Sequence, residues 1–125
     1  MHEFGICEGI VSAAVEALGR STVKGRLKTT RIVVGRLHQV IPETLRFAYG
    51  ILAQDTAAAG SVLEIREVPV AVACRACGWS GDIAMPLFRC GACQSGEVDV
   101  VRGRELFLES LEIESDDGDQ HTSVS

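Results

Sequence analysis

Four of the five cysteines in this 125-residue chain form two short pairs that could bind one metal ion. Cys74 and Cys77 lie in the stretch CRAC, Cys90 and Cys93 lie in CGAC, and twelve residues separate the two motifs. Two such turns direct four thiolates at one tetrahedral centre, which favours zinc. Iron bound as in rubredoxin and a dithiol redox pair are the alternatives.

The surroundings of these cysteines favour a structural metal. A redox motif would open a helix beside a strand, where the helix dipole lowers a thiol pKa, whereas both motifs here lie among glycines and other turn residues. Four sulfur ligands leave zinc no open position for catalysis. A segment of about 30 residues cannot build its own core. We therefore expect zinc to replace one, with Trp79, Ile83 and Met85 packed beside it.

A second set of metal-binding atoms lies at the start of the sequence, MHEFGIC. The large side chain of His2 is expected to protect Met1 from removal, which would keep the amine of Met1 in place. That amine, the amide nitrogen of His2 and the Nδ1 of His2 can close adjoining chelate rings around Ni(II) or Cu(II). Glu3 could complete the set through its amide or its carboxylate. Alone, the motif is weak, because a histidine at an exposed terminus is often an accident.

Composition and charge exclude several classes of function. The formal net charge is -5, and Arg75 and Arg89 are the only cations in residues 71–100, which opposes nucleic-acid binding by the cysteine module. Neither a serine–histidine nor a paired-carboxylate signature indicates an enzyme. No apolar run approaches the roughly 18 residues that span a membrane, and no export signal is recognised, so we expect a cytoplasmic protein.

The apolar periodicity predicts an α+β fold, in which a small sheet with two helices carries an inserted zinc-ribbon module. Residues 4–19 have the spacing of a helix, and Gly19 is expected to end it with a positive φ. Cys7 lies on the apolar face of this helix, where a buried core residue is a better interpretation than a metal ligand. A second helix is predicted to begin at Pro42. The stretches TTRIVVG, SVLEIREV and ELFLESLEIE are predicted strands.

The cysteine-rich segment separates the last of these strands from the others. Because that strand is too apolar to stand alone, we expect it to return to the first sheet, which makes the cysteine segment an insertion. The predicted division is an α+β domain of residues 1–69 and 101–114, a zinc ribbon over 70–100, and a disordered acidic tail over 115–125.

Several features in the same order resemble the HypA/HybF family of hydrogenase-maturation nickel chaperones. They are MHE, an amphipathic helix, a VVG strand, a short helix, the C-x2-C-x12-C-x2-C motif and a final SLEIE strand, from Met1 to about Glu114. The resemblance implies delivery of Ni(II), with the GTPase HypB as partner, to the large subunit of a [NiFe]-hydrogenase. It also implies His2 as the essential nickel ligand, Glu3 as a neighbour that tunes it, and a structural zinc on Cys74, Cys77, Cys90 and Cys93.

Two further residues are weaker nickel candidates. Glu43, at the start of the second helix, matches an acidic position of the family that can approach the nickel site. His38 follows the first strand, where family members usually have a smaller or acidic residue, and an exposed loop histidine is a better interpretation there than a metal ligand. The rival function is a zinc-ribbon scaffold or adaptor without nickel transfer. The sequence leaves open a monomer or a homodimer that exchanges its zinc modules.

Overall fold

The computed structural model describes residues 2–84 and 87–115, together with the backbone of residues 118–123. A short 3-10 turn at Arg36–His38 lies between the first strand and the second helix. In chain order the helices and strands are α1 His2–Arg20, β1 Arg26–Gly35, α2 Pro42–Leu52, β2 Val62–Val68, β3 Ala71–Cys74, β4 Ser80–Asp82, β5 Val98–Arg102, β6 Leu106–Ser115 and β7 Gly118–Ser123.

The chain divides into two compact units. The first unit comprises Met1–Val33, Val40–Arg66 and Phe107–Ser125, and the second comprises Val34–Gln39 and Glu67–Leu106. His2 and Glu3 therefore belong to the first unit, and the four paired cysteines belong to the second. The predicted assignment of nickel to one domain and zinc to the other stays a prediction.

In the first unit, α1 forms because apolar residues recur three and four positions apart. Its buried face contains Cys7, Ile10, Val11, Ala14 and Ala17. The expectation that Gly19 ends this helix with a positive φ is wrong, since α1 includes Gly19 and ends at Arg20. The N–H of Ser21 donates to the carbonyl oxygen of Leu18 at 3.3 Å. A tightened last turn thus satisfies a free carbonyl without a glycine cap.

The second helix begins at Pro42, as predicted, and packs against α1. Its buried residues are Leu45, Ala48 and Tyr49. The Tyr49 hydroxyl lies 2.9 Å from the Thr30 Oγ1 on β1 and 2.6 Å from the Ser61 Oγ. These bonds connect α2 to the sheet and satisfy a polar group that is shielded from water. Among the residues described here, no helix has the length and apolar character needed to cross a membrane.

Four strands form a sheet in the order β2-β1-β6-β7. Because β6 pairs beside β1, the strand that follows the cysteine segment returns to the first sheet, as the sequence predicts. Arg31 on β1 contacts the carboxylate of Glu64 on β2 at 2.9 Å and that of Glu112 on β6 at 2.8 Å. One guanidinium group therefore bridges three neighbouring strands.

The tail departs from expectation. Residues 115–125 are predicted to be disordered, but the backbone of Gly118–Ser123 forms β7, which pairs antiparallel with β6 from Ser115↔Gly118 to Ser110↔Ser123. Strand pairing uses backbone N–H and C=O groups, so a polar sequence can add to the free edge of an apolar strand. Low apolar content did not reveal this.

The second unit contains a three-stranded antiparallel sheet in the order β4-β3-β5. Gly35 also belongs to this unit, and its N–H donates to the carbonyl oxygen of Glu105 at 2.6 Å. The carbonyl oxygen of Gly103 accepts the N–H of Leu37 at 3.0 Å. A Cβ atom on Gly35 would overlap that carbonyl group, so this close approach requires glycine.

Candidate metal sites

The four paired cysteines of the second unit meet at one point. Their Sγ atoms all lie within 4.8 Å of one another, with 3.8 Å between Cys74 and Cys93 and 3.5 Å between Cys77 and Cys90. Sulfurs at about 2.3 Å from a tetrahedral zinc would be about 3.8 Å apart. Both short distances join one CxxC motif to the other. The arrangement therefore fits one shared ion better than separate dithiol pairs.

Each CxxC turn directs backbone N–H groups at its first sulfur. The Sγ of Cys74 accepts the N–H groups of Ala76 and Cys77 at 3.3 and 3.4 Å. The Sγ of Cys90 accepts those of Ala92 and Cys93, both at 3.3 Å. Such bonds stabilise negative charge on a thiolate and orient it towards a metal. The donor set thus fits a structural zinc, which would crosslink β3 to the loop before β5.

The thiol pKa values diverge within this cluster. Although burial opposes ionisation, the N–H groups of Cys93 and Ala92 lower the pKa of Cys90 to about 6. The N–H of Trp79 acts to lower the pKa of Cys77, but hydrogen bonding to the sulfurs of Cys90, Cys93 and Cys74, together with burial, outweighs it and raises that pKa to about 12. One thiolate is therefore formed readily near neutral pH, and binding of a cation must displace the remaining protons.

Trp79 fills the space beside the cluster. A Cβ atom added to Gly81 or to Gly91 would lie 2.7 Å from the indole Cζ2, so the ring rests against the backbone at both glycines. Trp79 and Ile83 are half-buried, while Met85 lies outside the described residues. The expected packing of Trp79 is therefore observed. The sequence analysis missed that Gly81 and Gly91 make room for the indole ring. Their positions, two residues after Trp79 and directly after Cys90, were the available signal.

At the start of the first unit, His2 and Glu3 form a compact pair of ionisable groups. The His2 Nδ1 lies 3.6 Å from the Glu3 Oε1. The His2 side chain is 52% exposed and that of Glu3 only 10% exposed, so the imidazole is accessible while the carboxylate is held inside. Its other oxygen, Oε2, accepts the N–H of Ile41 at 3.4 Å.

The Glu3 carboxylate is stabilised in its charged form. The backbone N–H of Glu3 itself lowers its pKa and outweighs burial, and the N–H of Ile41, the neighbouring His2 side chain and the N-terminus act in the same direction. An anion in the first turn of α1 is also favoured by the helix dipole. The pair thus offers a cation one accessible imidazole and one ionised carboxylate.

The other nickel candidates are Met1, Glu43 and His38. Met1 lies outside the described residues. Glu43 is exposed in the first turn of α2, within the first unit. His38 belongs to the second unit, where its Nε2–H donates to the carbonyl oxygen of Arg104 at 2.9 Å. Nickel ligation by Met1, Glu43 or His38 stays a prediction.

The fifth cysteine is a core residue. Cys7 is fully buried between the helices, and its thiol donates a hydrogen bond to the carbonyl oxygen of Leu45 at 3.1 Å. Burial raises the pKa of Cys7 to about 11, and the nearby Glu3 carboxylate acts in the same direction. A thiol that stays protonated is a poor metal ligand. This agrees with the interpretation from the helical face.

Comparison with known proteins agrees over almost the whole chain. A family model described as "Hydrogenase/urease nickel incorporation, metallochaperone, hypA" matches residues 1–113. The hydrogenase maturation factor HypA of Desulfosudis oleivorans is 42% identical over 113 residues, covering 90% of this chain and 98% of that protein. HypA of Chlorobium limicola is 38% identical over 117 residues, covering 94% and 100%.

Solved structures share the fold. The solution structure of the Ni metallochaperone HypA from Helicobacter pylori superposes with a TM-score of 0.62 at 20% identity, covering 90% of this chain and 97% of that one. A second solution structure of a HypA protein gives a TM-score of 0.64 at 19% identity. At these identities the likeness concerns the fold, and it confirms the predicted α+β architecture with a zinc-ribbon-like module.

Proposed function

The chain belongs to the HypA family of nickel metallochaperones for hydrogenase maturation, and we propose that it delivers Ni(II) to the large subunit of a [NiFe]-hydrogenase. The family description includes urease as well as hydrogenase. Two relatives of 42% and 38% identity are both named hydrogenase maturation factors, which favours hydrogenase as the recipient. The role is metal delivery, so no catalytic residue is assigned.

The proposed nickel ligands are the amine of Met1, the amide nitrogen and Nδ1 of His2, and Glu3. The observation that carries this assignment is an accessible His2 imidazole beside an ionised carboxylate at the first turn of α1. The first N–H groups of a helix have no acceptor four residues earlier, so the His2 amide can become a ligand without breaking a helical bond. Nitrogen ligands in a plane suit Ni(II).

A terminal site suits a carrier. A chelate made by the first residues of a chain has open coordination positions, so a receiving protein can add its own ligands before the carrier's ligands leave. The zinc cluster is different in kind, because four sulfurs close its coordination. We assign zinc to Cys74, Cys77, Cys90 and Cys93 and give it only a structural role.

The proposed partners follow from the function. A HypB-type GTPase would act with the chain during nickel transfer in the cytoplasm, and the hydrogenase large subunit would receive the ion. A homodimer that exchanges zinc modules is the alternative to a monomeric carrier. Glu43 and His38 are retained as weaker nickel candidates.

Equilibrium dialysis tests the proposal. The untagged protein should take up Ni(II) tightly, whereas His2→Ala, or chemical blocking of the N-terminal amine, should abolish tight uptake and leave the zinc content unchanged. Glu8→Ala is a matched control, because Glu8 is an exposed acidic residue of the same helix. Unchanged nickel affinity in His2→Ala would refute the ligand set. No nickel uptake by the wild-type protein would instead support the zinc-ribbon scaffold.

A further inference from the structure

We propose that the backbone N–H of Ile41 is a positioning group of the nickel site, which holds the Glu3 carboxylate beside the His2 Nδ1. The inference rests on the proposed nickel function and adds to it a residue that offers no ligand atom of its own. Ile41 acts through Glu3, and its contribution comes from the main chain.

The geometry gives the two carboxylate oxygens separate partners. The Oε2 of Glu3 accepts the Ile41 N–H at 3.4 Å, and Oε1 lies 3.6 Å from the His2 Nδ1. A carboxylate that is only 10% exposed needs donors inside the protein, because burial of an unpaired charge is costly. The N–H of Glu3 itself and the N–H of Ile41 together meet this need, and the Ile41 bond to Oε2 leaves Oε1 to face the imidazole.

The donor is itself well fixed. Ile41 is the N-cap residue of α2, with φ -98° and ψ 114°, and its carbonyl oxygen accepts the N–H of Leu45 at 2.9 Å. Four residues after Glu3, the Cys7 thiol bonds to the carbonyl oxygen of Leu45. Two contacts at matching four-residue intervals therefore bind the first turns of α1 to those of α2.

A fixed carboxylate has a consequence for metal binding. Groups that orient the ligands of a metal, or the carboxylates beside them, typically change affinity by about 10- to 100-fold when they are removed. Without the Ile41 N–H, the Glu3 side chain would gain rotamers in which Oε1 no longer faces the imidazole. Nickel binding would then have to order it again.

The test uses the full chain with its zinc. Ile41→Pro removes the N–H that Glu3 accepts and leaves the other groups around Glu3 in place. The φ of -98° at this position is close to the range of proline. We expect nickel affinity, measured by calorimetry, to fall by about 10-fold. Ile41→Ala, which keeps the N–H and removes the exposed side chain, should weaken nickel binding much less than Ile41→Pro does.

A double-mutant cycle separates positioning from general damage. In a Glu3→Ala background, Ile41→Pro should cause no further loss of nickel affinity, because the group it positions is already absent. If proline disturbs the fold, as judged by circular dichroism, the α-hydroxy analogue of isoleucine at position 41 replaces the N–H by oxygen with minimal change of shape. The same loss is expected from that analogue.

The outcomes distinguish this inference from the function on which it rests. Wild-type affinity in both the proline variant and the α-hydroxy analogue would overturn it, and so would an equal loss with and without Glu3. In either case His2→Ala would still abolish tight nickel uptake. If nickel affinity did not depend on His2, the proposed function would fail first, and the positioning role would fail with it.

Discussion

The thiol of Cys7 and the carbonyl oxygen of Leu45 form a buried hydrogen bond of 3.1 Å that joins α1 to α2. Removal of the sulfur by Cys7→Ala should lower the free energy of unfolding by about 1–3 kcal/mol, through lost packing and the lost bond. Urea titration measures this change. Zinc content should not fall, and a loss of zinc in Cys7→Ala would contradict the assignment of Cys7 to the core.

Alkaline pH should weaken the same contact. Burial raises the pKa of Cys7 from 9.0 to about 11 in the folded chain, so folding favours the protonated thiol. The stabilisation is complete below pH 9 and is lost as the pH rises through about 11. The difference in unfolding free energy between wild type and Cys7→Ala should therefore shrink across that interval. A constant difference would show that folding does not raise the pKa of this thiol.

Loss of one zinc ligand should unfold the metal module selectively. Cys74→Ser is expected to abolish stoichiometric zinc, as measured by elemental analysis, and to shift the fluorescence of the single tryptophan, Trp79, to longer wavelength. Helical circular dichroism from α1 and α2 should largely remain. Cys7→Ser provides the control, since it alters a cysteine outside the cluster. Full zinc content in Cys74→Ser would show that the ligand set is wrong.

Filling the space beside Trp79 should weaken zinc retention. In Gly91→Ala the new methyl group would lie 2.7 Å from the indole Cζ2, so the ring must shift, with a typical cost of about 1–3 kcal/mol. Zinc should then be lost to a chromogenic chelator at lower chelator concentration than in wild type. Gly96→Ala is the matched control, because no atom lies within 4 Å of its added Cβ. Equal zinc loss in both variants would argue against a packing role for Trp79.

The hydroxyl of Tyr49 should stabilise the fold through its hydrogen bonds. Tyr49→Phe leaves the buried Thr30 Oγ1 without its tyrosine partner, which should reduce the free energy of unfolding by about 1–3 kcal/mol. Adding Thr30→Val should recover much of that loss, because both polar groups are then absent. Thermal unfolding of the single and double variants measures the effect, and strictly additive losses would contradict the coupling.

The parts of the molecule that depend on local spacing could be predicted from the sequence. Each CxxC turn brings its own N–H groups to its first sulfur, so the roles of Cys74 and Cys90 could be predicted without knowledge of distant contacts. The helical spacing of Cys7 likewise indicated its burial. In contrast, Ile41 contributes an N–H that every residue except proline has, and 38 positions separate it from Glu3. No side-chain pattern marks such a group.

The strand β7 was missed for a related reason. Pairing with β6 uses the main chain, so the polar residues of Gly118–Ser123 gave no periodic signal. The end of α1 was also misjudged, because Gly19 is tolerated inside the helix at a modest cost in propensity. In both places, tertiary context outweighed local composition.

The approach of Gly35 to the carbonyl group of Gly103 restricts how this chain can evolve. A side chain at position 35 would collide with main-chain atoms, and no replacement at position 103 can remove a carbonyl group. Second-site suppressors at position 103 are thus ruled out for any substitution of Gly35. Every substitution at position 35 adds a Cβ atom, since glycine is already the smallest residue. A saturation library should therefore return glycine there among folded clones.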